Sequence, residues 1–179
     1  MADTALLIID IQNDYFPGGA MELEGADAAG AKAGEVLQKF RIQGNPVFHV
    51  RHLSVRPGAT FFLPGTPGAE IHSAVRPRHG ETVVEKNFPN SFRGTALQNH
   101  LEQHKIRNLV VAGMMTHMCV DASVRAATDL GYKVTLLADA CATRKQSFGG
   151  EAIPAKQVHG AFLAALNGFY AKVINANEL

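Results

Sequence analysis

The stretch 108-NLVVAGMMTHMCVDASVRAATDLG-131 holds a run of apolar residues, a tight junction and a segment of helical composition that stops at Gly131. Leu109 to Gly113 is continuously apolar rather than alternating, which is the pattern of a strand covered on both faces. Cys119 stands at the junction, so the strand delivers a thiol to the start of a helix. Unpaired N–H groups there carry partial positive charge, and the expectation is a stabilised thiolate.

Working outward, the same alternation recurs along the chain. Apolar runs lie at 5–10 (ALLIID), 46–51 (PVFHVR), 82–85 (TVVE), 133–139 (KVTLLAD) and 172–175 (KVIN). Segments of helical period separate them: 27–44, with Val36, Leu37 and Phe40 at 3-to-4 spacing and Gly44 as a stop, then 95–105 and 119–131. Pro154 starts a last helix through Ala161, Leu163 and Leu166. Short buried strands alternating with helices predict an α/β fold in three α/β/α layers, with a mostly parallel, six-stranded sheet and right-handed crossovers. Residues 53–80, rich in proline and glycine, and 143–151, polar with a Gly-Gly pair, read as long surface loops of the kind that border sites.

The chain has 179 residues, 46% hydrophobic and 18% charged, with a formal net charge of +1. These values fit one domain over 1–179 with one sizeable core. Basic residues are scattered, so no nucleic-acid or anionic-membrane partner is expected. The N-terminus lacks the pattern of a targeting peptide, and no run nears the ~20 apolar residues that span a bilayer. A cytoplasmic location follows as the expectation. The two cysteines, Cys119 and Cys141, sit in patterned segments rather than in a disulfide framework.

Three reactive side chains end three of the expected strands: Asp10, Lys86 and Cys119. In a doubly wound sheet, ligands bind at the carboxyl ends of strands near the point where strand order reverses. An attacking thiol must lose its proton, a carboxylate can accept it, and an ammonium can hold the pair in place. Asp10 is therefore assigned as base and Lys86 as electrostatic partner of Cys119. Backbone N–H groups of the turn from Met115 to Cys119 are assigned to receive an oxyanion. Each residue also has a plainer account: a buried cysteine is commonly structural, an aspartate at a strand end caps a turn, and a lysine after a strand is a solvated charge. The three together, in order, favour the chemistry. Cys141, in a stretch read as entering a loop with no base beside it, is assigned to packing.

The stretches 6-LLIIDIQNDYF-16, 64-PGTPGAEI-71, 83-VVEKNFPNSFRGTAL-97, 113-GMMTHMCVDASVRAATDLGY-132 and 136-LLADACAT-143 resemble the isochorismatase-like cysteine hydrolases, the superfamily that includes nicotinamidases. The resemblance spans most of the chain. It puts the motif aspartate at Asp10, the lysine at Lys86 and the nucleophile at Cys119. It implies a thioester-type intermediate, hydrolysis of a carbon–nitrogen bond, a non-proline cis peptide between Met114 and Met115 that turns the Met115 N–H toward the oxyanion, and a homo-oligomer, either dimer or tetramer. A metal site of the nicotinamidase kind is not expected, because 48-FHVRHLSVRP-57 has Arg51 near where a ligand aspartate would fall. His49, His52 and His72 remain as imidazoles without an accompanying carboxylate. No cofactor is called for.

For a small-molecule substrate, the residues expected to line the pocket are Gln12, Phe16, His52, Phe61, Phe92 and Met118, with Phe62 and Phe88 in the same loops. Core or subunit packing is the plainer account of each aromatic ring. Arg51, His52 and Arg93 are candidates for a substrate carboxylate, and Thr116 for stabilising the motif turn. Two other functions stay open: isochorismatase-type vinyl ether hydrolysis, with Asp10 as acid and the cysteine dispensable, and a non-catalytic binding protein of the same fold.

Overall fold

The computed structural model describes residues 3–179. Six parallel strands form the central sheet: β1 (Thr4–Ile9), β2 (Val47–His52), β3 (Thr82–Lys86), β4 (Asn108–Met114), β5 (Lys133–Ala142) and, at the far edge, a short strand Lys172–Ile174 that is β8 in chain order. Between β5 and that edge strand come β6 (Gln146–Phe148) and β7 (Glu151–Ile153), an antiparallel pair standing apart from the sheet. The order across the sheet is β3-β2-β1-β4-β5-β8, so the chain winds outward from β1, returns, and winds the other way from β4. The reversal falls between β1 and β4, which pair from Thr4↔Asn108 to Ile9↔Gly113.

Side-chain alternation divides the core into two faces. Leu6 and Ile8 of β1 face helix α1 (Ala26–Ile42) through Ala29, Ala33, Val36, Leu37 and Phe40. Ala5, Leu7 and Ile9 face the opposite layer, made by α2 (Leu97–Gln103), α3 (Asp121–Asp129) and α4 (Ala155–Leu166). Every residue of β1 is buried, which is why its sequence is apolar without a break. Each such leucine or isoleucine contributes roughly 1.5–3 kcal/mol by leaving water. Among the described residues, no helix is long and apolar enough to cross a membrane.

Three expectations need correction. The segment 143–151 is not wholly loop: it carries most of the β6–β7 hairpin, turning at Gly149 and Gly150, both at positive φ. The strand expected to end at 139 runs on to Ala142, because β5 bulges: its pairing with β4 breaks after Val111↔Leu136 and resumes at Gly113↔Cys141. Cys141 is thus buried in a strand rather than entering a loop, and burial pushes its thiol up to about 12. Finally, the helix expected to open at Cys119 begins three residues earlier. Thr116–Val120 is a π-helical turn that leads directly into α3, and Cys119 sits inside it.

Candidate active site

Asp10 leaves β1 with φ 51°, a left-handed backbone that aspartate tolerates better than most residues. Its carboxylate is fully buried and lies 2.6 Å, through Oδ2, from Nζ of Lys86, itself fully buried at the end of β3. The Lys86 ammonium also donates to Nδ1 of His52, 3.0 Å away at the end of β2. Ligand-type atoms of Asp10, His52 and Cys119 all lie within 4.8 Å of one another. Four neighbouring strands, β3, β2, β1 and β4, therefore each bring one member to a single rim of the sheet.

One feature of the backbone makes this gathering possible. Gly113 pairs with Ile9, and a Cβ there would lie 2.3 Å from the Ile9 carbonyl oxygen, so only glycine lets β4 close on β1 just before the cysteine turn. The next peptide bond but one, Met114–Met115, is cis. The turn itself is clamped from β5 and α4. Thr116 Oγ1 donates to the Ala142 carbonyl at 3.2 Å and lies 2.9 Å from His159 Nδ1. His117 bonds Thr143 and meets the ring of Phe162 edge-on.

Electrostatics at the rim are set by burial. Burial raises the Cys119 thiol well above its ordinary range; the Asp10 carboxylate adds to this, and the Lys86 ammonium offsets only part. The resting sulfur is a thiol, which corrects the expected thiolate: the turn's partial charge does not outweigh desolvation at a residue 4% exposed. Burial works against the Lys86 ammonium, but the Asp10 carboxylate holds it above its usual value. His52 is lowered to about 4, by burial first and then by Lys86, so it is neutral. Since lysine only donates, His52 Nδ1 carries the lone pair and Nε2 the proton.

A cavity of about 330 Å³ opens over Cys119, lined by Tyr15, His52, Val55, Phe61, Phe62 and Met118 among others. His52, Phe61 and Met118 were expected there. Gln12, Phe16 and Phe92 do not line it. The amide of Gln12 is fully buried and spent on backbone: it donates to the carbonyls of His52 (2.9 Å) and Ala69 (2.8 Å) and accepts from His52 N–H (2.8 Å). Phe16 stacks on His72 at 3.5 Å in the core under α1. Phe92 stacks on Tyr132 on the other face of the sheet.

Phe62, named among the loop aromatics, also lines the cavity; Tyr15 was missed, and both are held there by one cause. Asp14 accepts from Phe62 N–H at 2.6 Å and from Ala20 N–H at 3.2 Å, tying the 53–62 loop down over the site. Gly68 makes room for it, since a Cβ there would fall 2.1 Å from Asp14 Oδ1. The run 10-DIQNDY-15 thus carries a site carboxylate, two loop brackets and a wall residue in six positions.

The three histidines considered as a metal set are apart in function: His49 pairs with Glu81 at 3.0 Å, and His72 is stacked on Phe16 and accepts from Ala74 N–H. The group that does converge, Asp10, His52 and Cys119, already contains a cation. Lys86 lies against the carboxylate and the imidazole lone pair that a metal would take, so the residues present do not fit an ion. Arg51 is held by Glu70 and Glu85, and Arg93 lies 3.8 Å over the ring of Phe88, so neither is a carboxylate reader at this cavity.

A doubly wound sheet with a cysteine, an aspartate and a lysine at its switch point defines the isochorismatase-like class of α/β proteins. The chain belongs to the isochorismatase family: the isochorismatase domain profile matches residues 4–178. It is 51% identical to the isochorismatase family protein YddQ of Bacillus subtilis, over 95% of this chain and 94% of that one. The nicotinamidase of Escherichia coli is 28% identical, over 79% of this chain and 84% of its own. A crystal structure from Oleispira antarctica assigned to the isochorismatase hydrolases superposes with a TM-score of 0.96 at 50% identity, covering 99% of this chain and 95% of that one. The family is hydrolytic.

Proposed function

We propose that this hydrolase cleaves a carbon–nitrogen bond of a small amide or ureide through a covalent thioester on Cys119. The observation that carries the reading is the buried Lys86–Asp10 pair, 2.6 Å apart, with the Cys119 sulfur within 4.8 Å of the carboxylate at the floor of an apolar cavity. Asp10 takes the thiol proton as sulfur attacks the carbonyl carbon. Lys86 holds the carboxylate in place and offsets the charge that develops on sulfur. Backbone N–H groups of Met115 and Cys119 receive the oxyanion. Collapse breaks the carbon–nitrogen bond, and the departing amine takes the proton from Asp10. Water then gives a proton to Asp10 as it attacks the thioester, and the thiol recovers that proton as the acid leaves. One amide and one water become one acid and one amine. A protonated resting thiol agrees with a base that acts only during attack.

The test is turnover of a panel of small amides and ureides by the purified protein, with mass spectrometry of Cys119. An acyl adduct on Cys119 is expected, with turnover falling by roughly 10⁴-fold or more in Cys119→Ala. Full turnover by Cys119→Ala would falsify the reading, and hydrolysis of a vinyl ether by that variant would replace it with acid catalysis by Asp10.

A further inference from the structure

Of the residues lining the cavity one carries a formal charge, Arg56, and its guanidinium lies near enough to His52 to disfavour the imidazolium. Around it the wall is neutral: Tyr15, Val55, Pro57, Phe61, Phe62 and Met118. Beneath it the floor is neutral too, since Asp10 and Lys86 cancel, Cys119 is a thiol and His52 is uncharged. Four other arginines are engaged elsewhere: Arg41 with Glu81, Arg51 with Glu70 and Glu85, Arg125 with Asp121, and Arg93 with the Phe88 ring. Among the described residues, the Arg56 guanidinium has no ion pair and no hydrogen bond, although its backbone is fixed by a turn to Ala59 at 3.1 Å. The loop that carries it is closed at its base, where Ser54 N–H bonds the Phe62 carbonyl at 2.9 Å.

An unpaired cation at the mouth of an apolar cleft focuses the field into that cleft, because the low-dielectric walls screen poorly. A guanidinium also matches a carboxylate with two parallel hydrogen bonds. We infer that Arg56 selects substrates bearing a carboxylate, separated by a short apolar segment from the carbonyl that meets Cys119. The inference rests on the amidohydrolase reading above and names its substrate class: an amide or ureide of a small acid. A cationic substrate is repelled at the mouth, and a neutral one gains nothing from the guanidinium.

The test needs no knowledge of the natural substrate. Two N-substituted iodoacetamides, one ending in a carboxylate and one in a methyl group, are compared for the rate at which they label Cys119 in the wild type and in Arg56→Gln. Labelling by the carboxylate reagent is expected to be about ten- to hundredfold favoured in the wild type over Arg56→Gln, after division by the rate of the methyl reagent. Raising salt should shrink that ratio in the wild type, since the charge lies at an exposed mouth. The same comparison is made without chemistry at sulfur by titrating the Cys119→Ala protein with glutaramate and with pentanamide, observed by NMR. Equal reagent ratios in the two proteins, or pentanamide binding as tightly as glutaramate, overturns the inference. Turnover retained by Cys119→Ala would instead count against the thioester reading and leave both ratios as measured.

Discussion

The Lys86 ammonium and the His52 imidazole lie 3.0 Å apart, with the imidazole accepting, so a fully buried cation fixes the tautomer of a half-buried histidine that burial first, and then this cation, keeps neutral. His52 stays neutral down to about pH 4, whereas in the unfolded chain it takes a proton near its ordinary value of 6.5. The unfolded state therefore binds more protons across that window, and stability rises with pH through it. The share of stability due to His52 is whole above about 6.5 and is lost as pH falls toward 4. Urea titrations at about pH 6 and about pH 5 should show the wild type losing more stability than His52→Gln, the difference approaching ~1.4 kcal/mol per pH unit from one proton, while His49, His72, His117 and His159, also lowered by burial, contribute alike to both proteins. An identical slope in the variant would assign the effect to other groups.

Breaking the Lys86–Asp10 pair from either side leaves a bare charge inside the protein. Lys86→Met and Asp10→Asn should each cost about 3–5 kcal/mol where an unpaired charge remains, Lys86→Met the more so. The double variant should cost less than the two single costs added together. Denaturant melts of the three proteins measure this, and simple additivity would mean that the pair is not coupled.

Gln12 offers a prediction that separates positioning from contact with substrate. Gln12→Ala strips partners from the His52 N–H and from the carbonyls of His52 and Ala69, at a cost of roughly 2–3 kcal/mol or more. Because His52 and the 53–62 loop then loosen together, the proposed turnover should fall as well. A variant with native stability and a raised KM alone would place the amide in direct contact with substrate after all.

Gly113→Ala should damage the site through the backbone. The added methyl group meets the Ile9 carbonyl at 2.3 Å, and β4 must move off β1 at the point where Asp10 and Cys119 face each other. A loss of about 1–3 kcal/mol in stability is expected. Turnover should fall further than that loss explains, read as activity per folded molecule.

The strands were legible because buried parallel strands are apolar end to end, and their order gave the rim on which Asp10, Lys86 and Cys119 meet. Cys119 was harder to read electrostatically. Its place after a strand points to a helix terminus, but the π turn and the degree of burial that decide its protonation depend on β5 and α4, far along the chain. Aromatic residues near strand ends looked alike as pocket walls. Phe61 and Phe62 line the cavity because Asp14 draws their loop inward, while Phe16 and Phe92 turn to opposite faces of the sheet, a distinction made by tertiary contacts alone. The hairpin at 146–153 was hidden because its strands are three residues long and do not join the main sheet. Arg56 carried no signal of its own, since an arginine beside Pro57 and Gly58 looks like any solvated loop cation.

Storing the sulfur of Cys119 as a shielded thiol has a bearing on chemical wear. Peroxide and similar oxidants consume thiolates far faster than thiols, and the path to sulfinic and sulfonic acids starts from that anion. On the proposed mechanism the anion forms only beside a bound substrate and spends little time in the vulnerable form, so the protein should outlast, under oxidant exposure, an enzyme whose cysteine is ionised at rest.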